Sequence, residues 1–508
     1  MTRLGFALLS DSCIGCHACT VACKSEHDVP LGVNRTWLKY VEAGEFPNTG
    51  RSFTVMRCNH CDDAPCVTIC PTQALYRAPN GVVDFDDSSC IGCKGCMNAC
   101  PYDAIYINPE SNTAHKCNFC NHRVEVGLEP ACVVVCPTEA IVTGDLDDPT
   151  SEISRIVARD EVAVRAPEQG TNPKVFYRGV DQAALDPTRS AIPDDGMIWA
   201  DTTSSHSTIT PTMREAGGAI GRTVYTTAHH MTWRSKVSGY LVTKAIAAGL
   251  MLIASLLVAL GHGDAHAAVG VVPAVLAGLL TAVTGALLIG DLKQPKRFWY
   301  LLTKPNTRSW LVRGAWVLGA FAALVAAWGL LGIVGAGAAY PVLSIPVALL
   351  AAGVAGYTAF LFAQCEGRDL WQTPLLLPIL LAQAGVAGAS GYALLDVVMN
   401  VPRPEVIRVV FIAALGVLAL LVAAELTSSG SRHVELATLE MIRGAYAKQF
   451  WFGGMLSGIV APSALVVFAL ATDAANPWPT AFAGVAALVG LFAYEDAFVR
   501  AGQSVPLS

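Results

Sequence analysis

CIGCKGCMNACP, from Cys90 to Pro101, decides how the rest of the chain is read. Three cysteines have two residues between each pair, a fourth follows after three more, and a proline comes directly behind it. Three thiolates at that spacing can wrap one corner of an iron–sulfur cubane while backbone amides donate to its sulfurs. The fourth sits at the start of a helix that points away, so it reaches a neighbouring cluster, as in two-cluster ferredoxins. Proline suits the first turn of such a helix, where no backbone donor is needed. The same spacing occurs upstream in CIGCHACTVAC, with Cys13, Cys16, Cys19 and Cys23. Two wider groups complete the set. CNHCDDAPCVTICP has Cys58, Cys61, Cys66 and Cys70, and CNFCNHRVEVGLEPACVVVCP has Cys117, Cys120, Cys132 and Cys136.

Sixteen of the 17 cysteines are thus placed in four groups of four. A disulfide framework would call for a small exported domain. The opening MTRLGFALLSDSC has neither a long enough apolar run nor a twin-arginine pair. Zinc also uses CxxC pairs, but a third cysteine only two residues on, followed by x3-C-P, is foreign to zinc sites. The expectation is four [4Fe–4S] clusters. The remaining Cys365 is expected to be a small buried residue.

The 508 residues are 53% hydrophobic and only 15% charged, against about 25% charged in ordinary soluble domains. A net charge of −6 leaves no footprint for nucleic acid. The average hides a split, because the cysteine groups end at Cys136 and the long apolar runs begin at Val237. Eight runs are long enough to cross about 30 Å of hydrocarbon: 237–261, 267–290, 310–335, 341–363, 373–396, 406–427, 451–472 and 478–499. Several are rich in Gly and Ala, which lets helices approach closely in lipid. The expected fold is an α+β ferredoxin-like four-cluster domain over residues 1–190, then an all-α eight-helix transmembrane bundle over 237–508. Residues 191–236, rich in Thr, Ser, Gly and Asp, read as a surface linker.

Eight spans return both ends of the bundle to one side. Thirteen basic residues fall on the side of the cysteine domain: Arg222, Arg234, Lys236, Lys293, Lys296, Arg297, Lys304, Arg308, Arg368, Arg432, Arg443, Lys448 and Arg500. The opposite side has Arg403 and Arg408. Positive residues stay inside, so an integral inner-membrane protein with a cytoplasmic cluster domain is expected. Basic loops docking an acidic domain would leave the same bias.

The cysteine order, with its expanded second group and an eleven-residue insertion in the fourth, resembles the four-cluster subunit of the dimethyl-sulfoxide-reductase superfamily. That resemblance implies crossed pairing of the first group with the fourth and of the second with the third. One cluster then takes Cys13, Cys16, Cys19 and Cys136, and its neighbour takes Cys117, Cys120, Cys132 and Cys23. A third takes Cys90, Cys93, Cys96 and Cys70, and the last takes Cys58, Cys61, Cys66 and Cys100. PEQGTNPKVFYRG (Pro167 to Gly179) resembles the strand-forming tail that closes this domain. In the membrane half, DLKQPKRFWYLLTKPNTRSWLVRGAW (Asp291 to Trp316) and AQCEGRDLW (Ala363 to Trp371) resemble the polysulfide-reductase-type, or NrfD-type, anchor. Relatives of that kind bind a quinone beside the nearest cluster, and their two halves are usually separate subunits, which implies a natural fusion here.

Charged side chains in or at the edge of a membrane are costly and mark function by default. Lys244, Asp291, Arg313, Trp316, Glu366, Arg368 and Asp369, with His229 and His230 before the first span, are the candidates for holding a quinone, menaquinone or ubiquinone. Each also has a plainer reading as an interfacial anchor or structural ion pair. No span has an interior histidine, since His262 and His266 fall between the first two spans, so no haem is expected. No Gly-rich nucleotide loop and no nucleophile–base pair occurs in the cysteine half, so no catalytic residue is assigned. The function expected is that of the iron–sulfur, quinone-reactive and membrane-anchor subunit of a molybdopterin (or tungsten) oxidoreductase of the sulfite dehydrogenase or polysulfide, thiosulfate or dimethyl sulfoxide reductase type. Its partners would be a catalytic subunit docked on the cluster domain, lipid and quinone, with a dimer of complexes compatible with them. The alternative is a proton-translocating energy-converting module using Glu425, Glu495 and Asp496, and a third reading is a membrane-tethered polyferredoxin.

Overall fold

The computed structural model of the chain describes residues 2–191, 198–199, 210, 212–213, 216–227, 231–264, 266–428, 430–472 and 476–508. Short apolar segments of the cysteine half pair into small sheets round the cysteine loops. Ile141–Asp145, Leu4–Leu9, Val175–Arg178 and Val162–Ala163 lie side by side in that order. Leu4–Leu9 is antiparallel to the first and parallel to Val175–Arg178, with Phe6 opposite Val175. The Pro167 to Gly179 segment therefore does supply a strand that closes this sheet. Two matching hairpins, Leu75–Arg77 with Val83–Phe85 and Ile105–Ile107 with Ala114–Lys116, follow the second and third cysteine groups.

A second sheet runs Ser190–Ala191, Gly221–Thr226, Thr36–Ala43, Gly50–Arg57. Its second strand corrects the reading of 191–236 as a plain linker. Arg222 faces Glu42 and Thr223 faces Val41 across an antiparallel pair. GRTVYT is rich in β-branched and aromatic residues, which suit a half-buried pleated surface, and the surrounding Ser, Thr and Gly obscure it.

In the second half, among the described residues, eight helices are long and apolar enough to cross a membrane: Ser235–Ala259, Ala267–Asp291, Trp310–Ile333, Gly337–Ala363, Leu376–Val398, Pro404–Thr427, Gln449–Ala471 and Trp478–Ser504. They coincide with the eight expected runs to within a few residues. The first span packs against the second, fourth, fifth and eighth. Its approach to the fifth depends on glycine, since a Cβ on Gly249 would lie 2.1 Å from the Ala384 carbonyl oxygen and 2.5 Å from the Gly388 nitrogen. Helices in lipid have no hydrophobic drive towards each other, so such small-residue contacts hold the bundle.

Candidate functional site: the thiol sets and the junction with the membrane half

Each cysteine group starts a short helix: Ala18–Glu26, Pro65–Ile69, Gly95–Ala99 and Ala131–Val134. In the two ferredoxin-spaced groups the residue before the helix, His17 or Lys94, has a φ of 62° or 64°. That left-handed step, uncommon for a side chain of this kind, is the same turn made twice and repeats the sequence repeat in three dimensions.

Every cysteine is a free thiol, and most are buried. Cys13 lies within electrostatic reach of Cys16 and Cys136, and Cys19 of Cys13. Cys117 faces Cys23 and Cys132, and Cys120 faces the same two. Cys61 and Cys66 face Cys58 and Cys100. Cys93 and Cys96 face Cys90 and Cys70. Single longer links join these sets in a row: Cys19 to Cys132, Cys117 to Cys58, and Cys66 to Cys96. Cys16 is solvent-exposed at one end of the row. At the other end, Cys93 lies near Cys365 of the membrane half.

Burial pushes the Cys19, Cys61 and Cys93 thiols up to about 12. A thiolate in such a place needs a cation, and a bound metal supplies one. Among the described residues no three His, Cys, Asp or Glu side chains close round a point that would hold a single metal ion. A zinc site needs four ligands about 2.0–2.3 Å from one ion. The donor set, thiolate only and four to a set, fits iron–sulfur clusters.

The membrane half holds the last thiol set by its backbone. Asn306 Nδ2 donates to the Cys70 carbonyl at 2.8 Å, Arg297 Nη1 to the Cys90 carbonyl at 2.8 Å, and Trp233 Nε1 to the Cys93 carbonyl at 3.2 Å. Ser309 Oγ donates to Ile69 O at 2.7 Å. The Lys293 and Gln294 amides donate to Gly92 O and Ile91 O, both at 3.1 Å. Gly92 has a φ of +67°, and a Cβ there would meet Lys293 Cβ at 2.5 Å, so glycine permits both the turn and the docking. Beside Cys93 an apolar cavity of about 90 Å³ is lined by Trp233, Tyr240, Asp291, Phe298, Tyr357 and Leu361, among others.

Residues 12–75 and 50–146 match the family profile for a 4Fe-4S dicluster domain. Residues 223–506, over half the chain, match that for polysulphide reductase, NrfD. The chain belongs to the NrfD family. The cysteine half is similar to an iron–sulfur protein of the tetrathionate reductase of Salmonella typhimurium, at 45% identity over 191 residues, covering 36% of this chain and 76% of that protein. The thiosulfate reductase electron transfer subunit PhsB of Salmonella typhi is 48% identical over 162 residues, covering 31% and 83%. The arsenate respiratory reductase iron-sulfur subunit ArrB of a Shewanella species is 36% identical over 225 residues, covering 34% and 95%. The protein is thus an integral membrane member of the NrfD family with a [4Fe–4S] electron-transfer region at its N-terminal side.

The quinone candidates do not converge on one place. Asp291 lines the cavity and is paired with Lys94 at 2.8 Å. Lys244 lies behind the cavity wall, with Nζ 4.7 Å from the Tyr357 ring centre and donating to Ala355 O at 3.0 Å and Thr358 Oγ1 at 2.5 Å. Arg313 and Trp316 stand outside it. Arg313 Nε donates to Thr307 O at 2.7 Å and its guanidinium lies over Trp310, while Trp316 is 43% exposed on the outer face of its span. Arg368 and Asp369 belong to the docking surface. Arg368 Nε donates to Asn98 Oδ1 at 3.4 Å and Nη1 to Val505 O at 3.2 Å. Asp369 accepts from Gln169 Nε2 at 2.9 Å and from Ser431. Glu366 is half-buried beside Asp63, and burial raises its carboxyl. His229 and His230 lie outside the described residues. Cys365 is fully buried, as expected.

Sequence reading missed Trp233, Arg297, Asn306 and Ser309, which join the two halves. They lie within or beside motifs that resemble the NrfD anchor, so the motif was visible although its role in docking was not. The 90 Å³ cavity left no mark of its own, because its wall is ordinary apolar helix.

Proposed function

We propose that this chain is the electron-transfer and anchor subunit of a quinone-linked molybdopterin oxidoreductase, acting between a docked catalytic subunit and a quinone in the membrane. The four thiol sets hold four [4Fe–4S] clusters, which carry single electrons along the row. The observation that carries this reading is the row itself, running from exposed Cys16 to Cys93 beside the apolar cavity. Near Cys16 in the chain the surface is apolar: Ile14 is 57% exposed and Val21 64%. Apolar surface at an exposed cluster ligand is what a partner subunit covers. At the inner end, the cavity admits an apolar ring between Phe298, Tyr357 and Leu361, and the Asp291–Lys94 pair offers a carboxylate and an ammonium for its carbonyl oxygens and their protons. No haem takes part. The substrate class is that of the relatives named above, an oxidised sulfur compound or arsenate.

The thirteen-to-two distribution of basic residues supports a cytoplasmic cluster domain. Protease treatment of intact spheroplasts and of inverted vesicles reads this directly, with cleavage of the cysteine half expected only in inverted vesicles.

The test of the main reading is reduction of the purified full-length protein by a quinol analogue. Bleaching of cluster absorbance is expected, and copurification with a molybdopterin subunit as well. A chain that dithionite reduces but no quinol analogue does would be a tethered ferredoxin instead. A second reading, proton translocation, is favoured by one observation: buried acids cluster in the bundle, with Tyr494 donating to Glu425 at 3.1 Å and Ser238 to Asp496 at 3.0 Å. Proton uptake into proteoliposomes beyond quinone stoichiometry would decide for it.

A further inference from the structure

Arg57 ends the strand Gly50–Arg57 and has no exposed surface. Its Nη1 donates to Cys132 Sγ at 3.3 Å, and the guanidinium lies 4.3 Å from the centre of the Phe6 ring. Among the described residues its Nε and Nη2 have no acceptor. A buried guanidinium with idle donors is costly unless something else meets it. The anions within its reach are thiolates, Cys132, Cys117 and Cys19. Two of these belong to the set of Cys23, and the third to the exposed set of Cys16.

The other cations near the thiols are engaged differently. Arg35 reaches Cys23, and it shares a hydrogen bond with His115 and lies over Phe85. Lys116 faces Cys66, but its Nζ donates to the carbonyls of Val83 and Cys117. Lys94, beside Cys93, is matched by Asp291 at 2.8 Å. Arg57 is the cation that the two outer sets share, and it keeps two donors free for the sulfurs of a cluster.

We propose that Arg57 is a positioning residue that sets the reduction potentials of the two outer clusters together. Taking up an electron adds one negative charge to a cluster. A fixed cation in a water-free site lowers the energy of that reduced form. Hydrogen bonds to cluster sulfurs act in the same direction. The inference rests on the ligand sets proposed above, and its test separates the two.

The experiment uses the full-length, cluster-loaded protein with the substitutions Arg57→Gln and Arg57→Lys. Iron content and the number of intact cubanes are counted first, then each cluster is titrated by EPR-monitored potentiometry, with signals assigned through cysteine variants. For Arg57→Gln, the reduced-to-oxidised ratio of both outer clusters at a fixed potential should fall at least tenfold, or ~59 mV for a one-electron couple. The two inner clusters should hold their potentials, and Arg57→Lys should restore most of the loss. The proposal is overturned if the outer potentials stay put with all clusters present, or if all four shift alike. It is equally overturned if both variants simply lose the outer clusters, which would make Arg57 a structural residue. An error in the ligand sets would show in the cysteine variants and leave the Arg57 comparison readable.

Discussion

Replacing Cys23 should damage a cluster other than the one its neighbours in sequence hold. Cys19 and Cys23 lie one turn apart on the helix Ala18–Glu26, which separates them by about 6 Å along the axis. Cys19 faces Cys13, while Cys23 is faced by Cys117 and Cys120. One helix therefore bridges two sites. Cys23→Ala leaves three thiolates at the site of Cys117, so three of the four cubanes should survive. Cys117→Ala should give the same count, and the double variant should still retain three, because both cysteines serve one cluster. Combining Cys23→Ala with Cys16→Ala should leave two. This pattern of non-additive and additive pairs can be read by spin integration of the dithionite-reduced protein together with iron analysis. Two surviving cubanes in Cys23→Ala/Cys117→Ala, with three in Cys23→Ala/Cys16→Ala, would refute the crossed assignment and restore a grouping by sequence.

Three further outcomes follow from the junction and the core. Gly92→Ala places a Cβ 2.5 Å from Lys293 Cβ at a φ of +67°, where a side chain alone costs about 1–2 kcal/mol. Reduction by a quinol analogue in stopped flow should slow about tenfold or more, while reduction by dithionite stays normal. Leu361→Trp fills the cavity beside Cys93, so quinol-driven reduction should fail with cluster content unchanged, and an unchanged rate would move the quinone elsewhere. Lys39 is fully buried, and burial brings its amine down to about 7. The unfolded chain, near 10.4, binds the extra proton between those values, so this residue makes stability rise with pH from 7 towards 10. Lys39→Met should remove up to about 2–3 kcal/mol of that rise between pH 7 and 9, measured by thermal loss of cluster absorbance in both proteins.

The two halves and the eight spans were legible because their signals are periodic and local. CxxCxxCxxxCP describes one loop, and a run of more than twenty apolar residues describes one helix. The strand Gly221–Thr226 was not legible, because six residues of good strand sequence lie in a polar stretch and their partner, Thr36–Ala43, is far away in the chain. The fate of Arg313, Trp316, Arg368 and Asp369 was hidden for a different reason. A charge at a membrane boundary looks the same in sequence whether it serves a ligand, a docking contact or an interface, and only packing separates these. Arg57 gave no signal at all, since an arginine ending an ordinary strand becomes notable only when Cys19, Cys117 and Cys132 surround it.

The basic loops illustrate that ambiguity in a form that can be resolved. Arg222 pairs with Glu42 at 3.1 Å, Arg297 and Lys304 donate to the cysteine half, and Arg368 reaches Asn98. Arg432 donates to the carbonyls of Ala216 and Gly217 in the connecting segment. These five have a local task that would select for positive charge on either side of a membrane, so they carry no topological information. Setting them aside leaves eight of the thirteen basic residues on the cluster side, still against only Arg403 and Arg408. The bias that orients a membrane protein counts lysines and arginines near span ends and does not count acids, so the pairing of Arg500 with Asp496 does not remove Arg500 from the tally. Docking therefore explains part of the asymmetry and leaves enough to point the cluster domain inward.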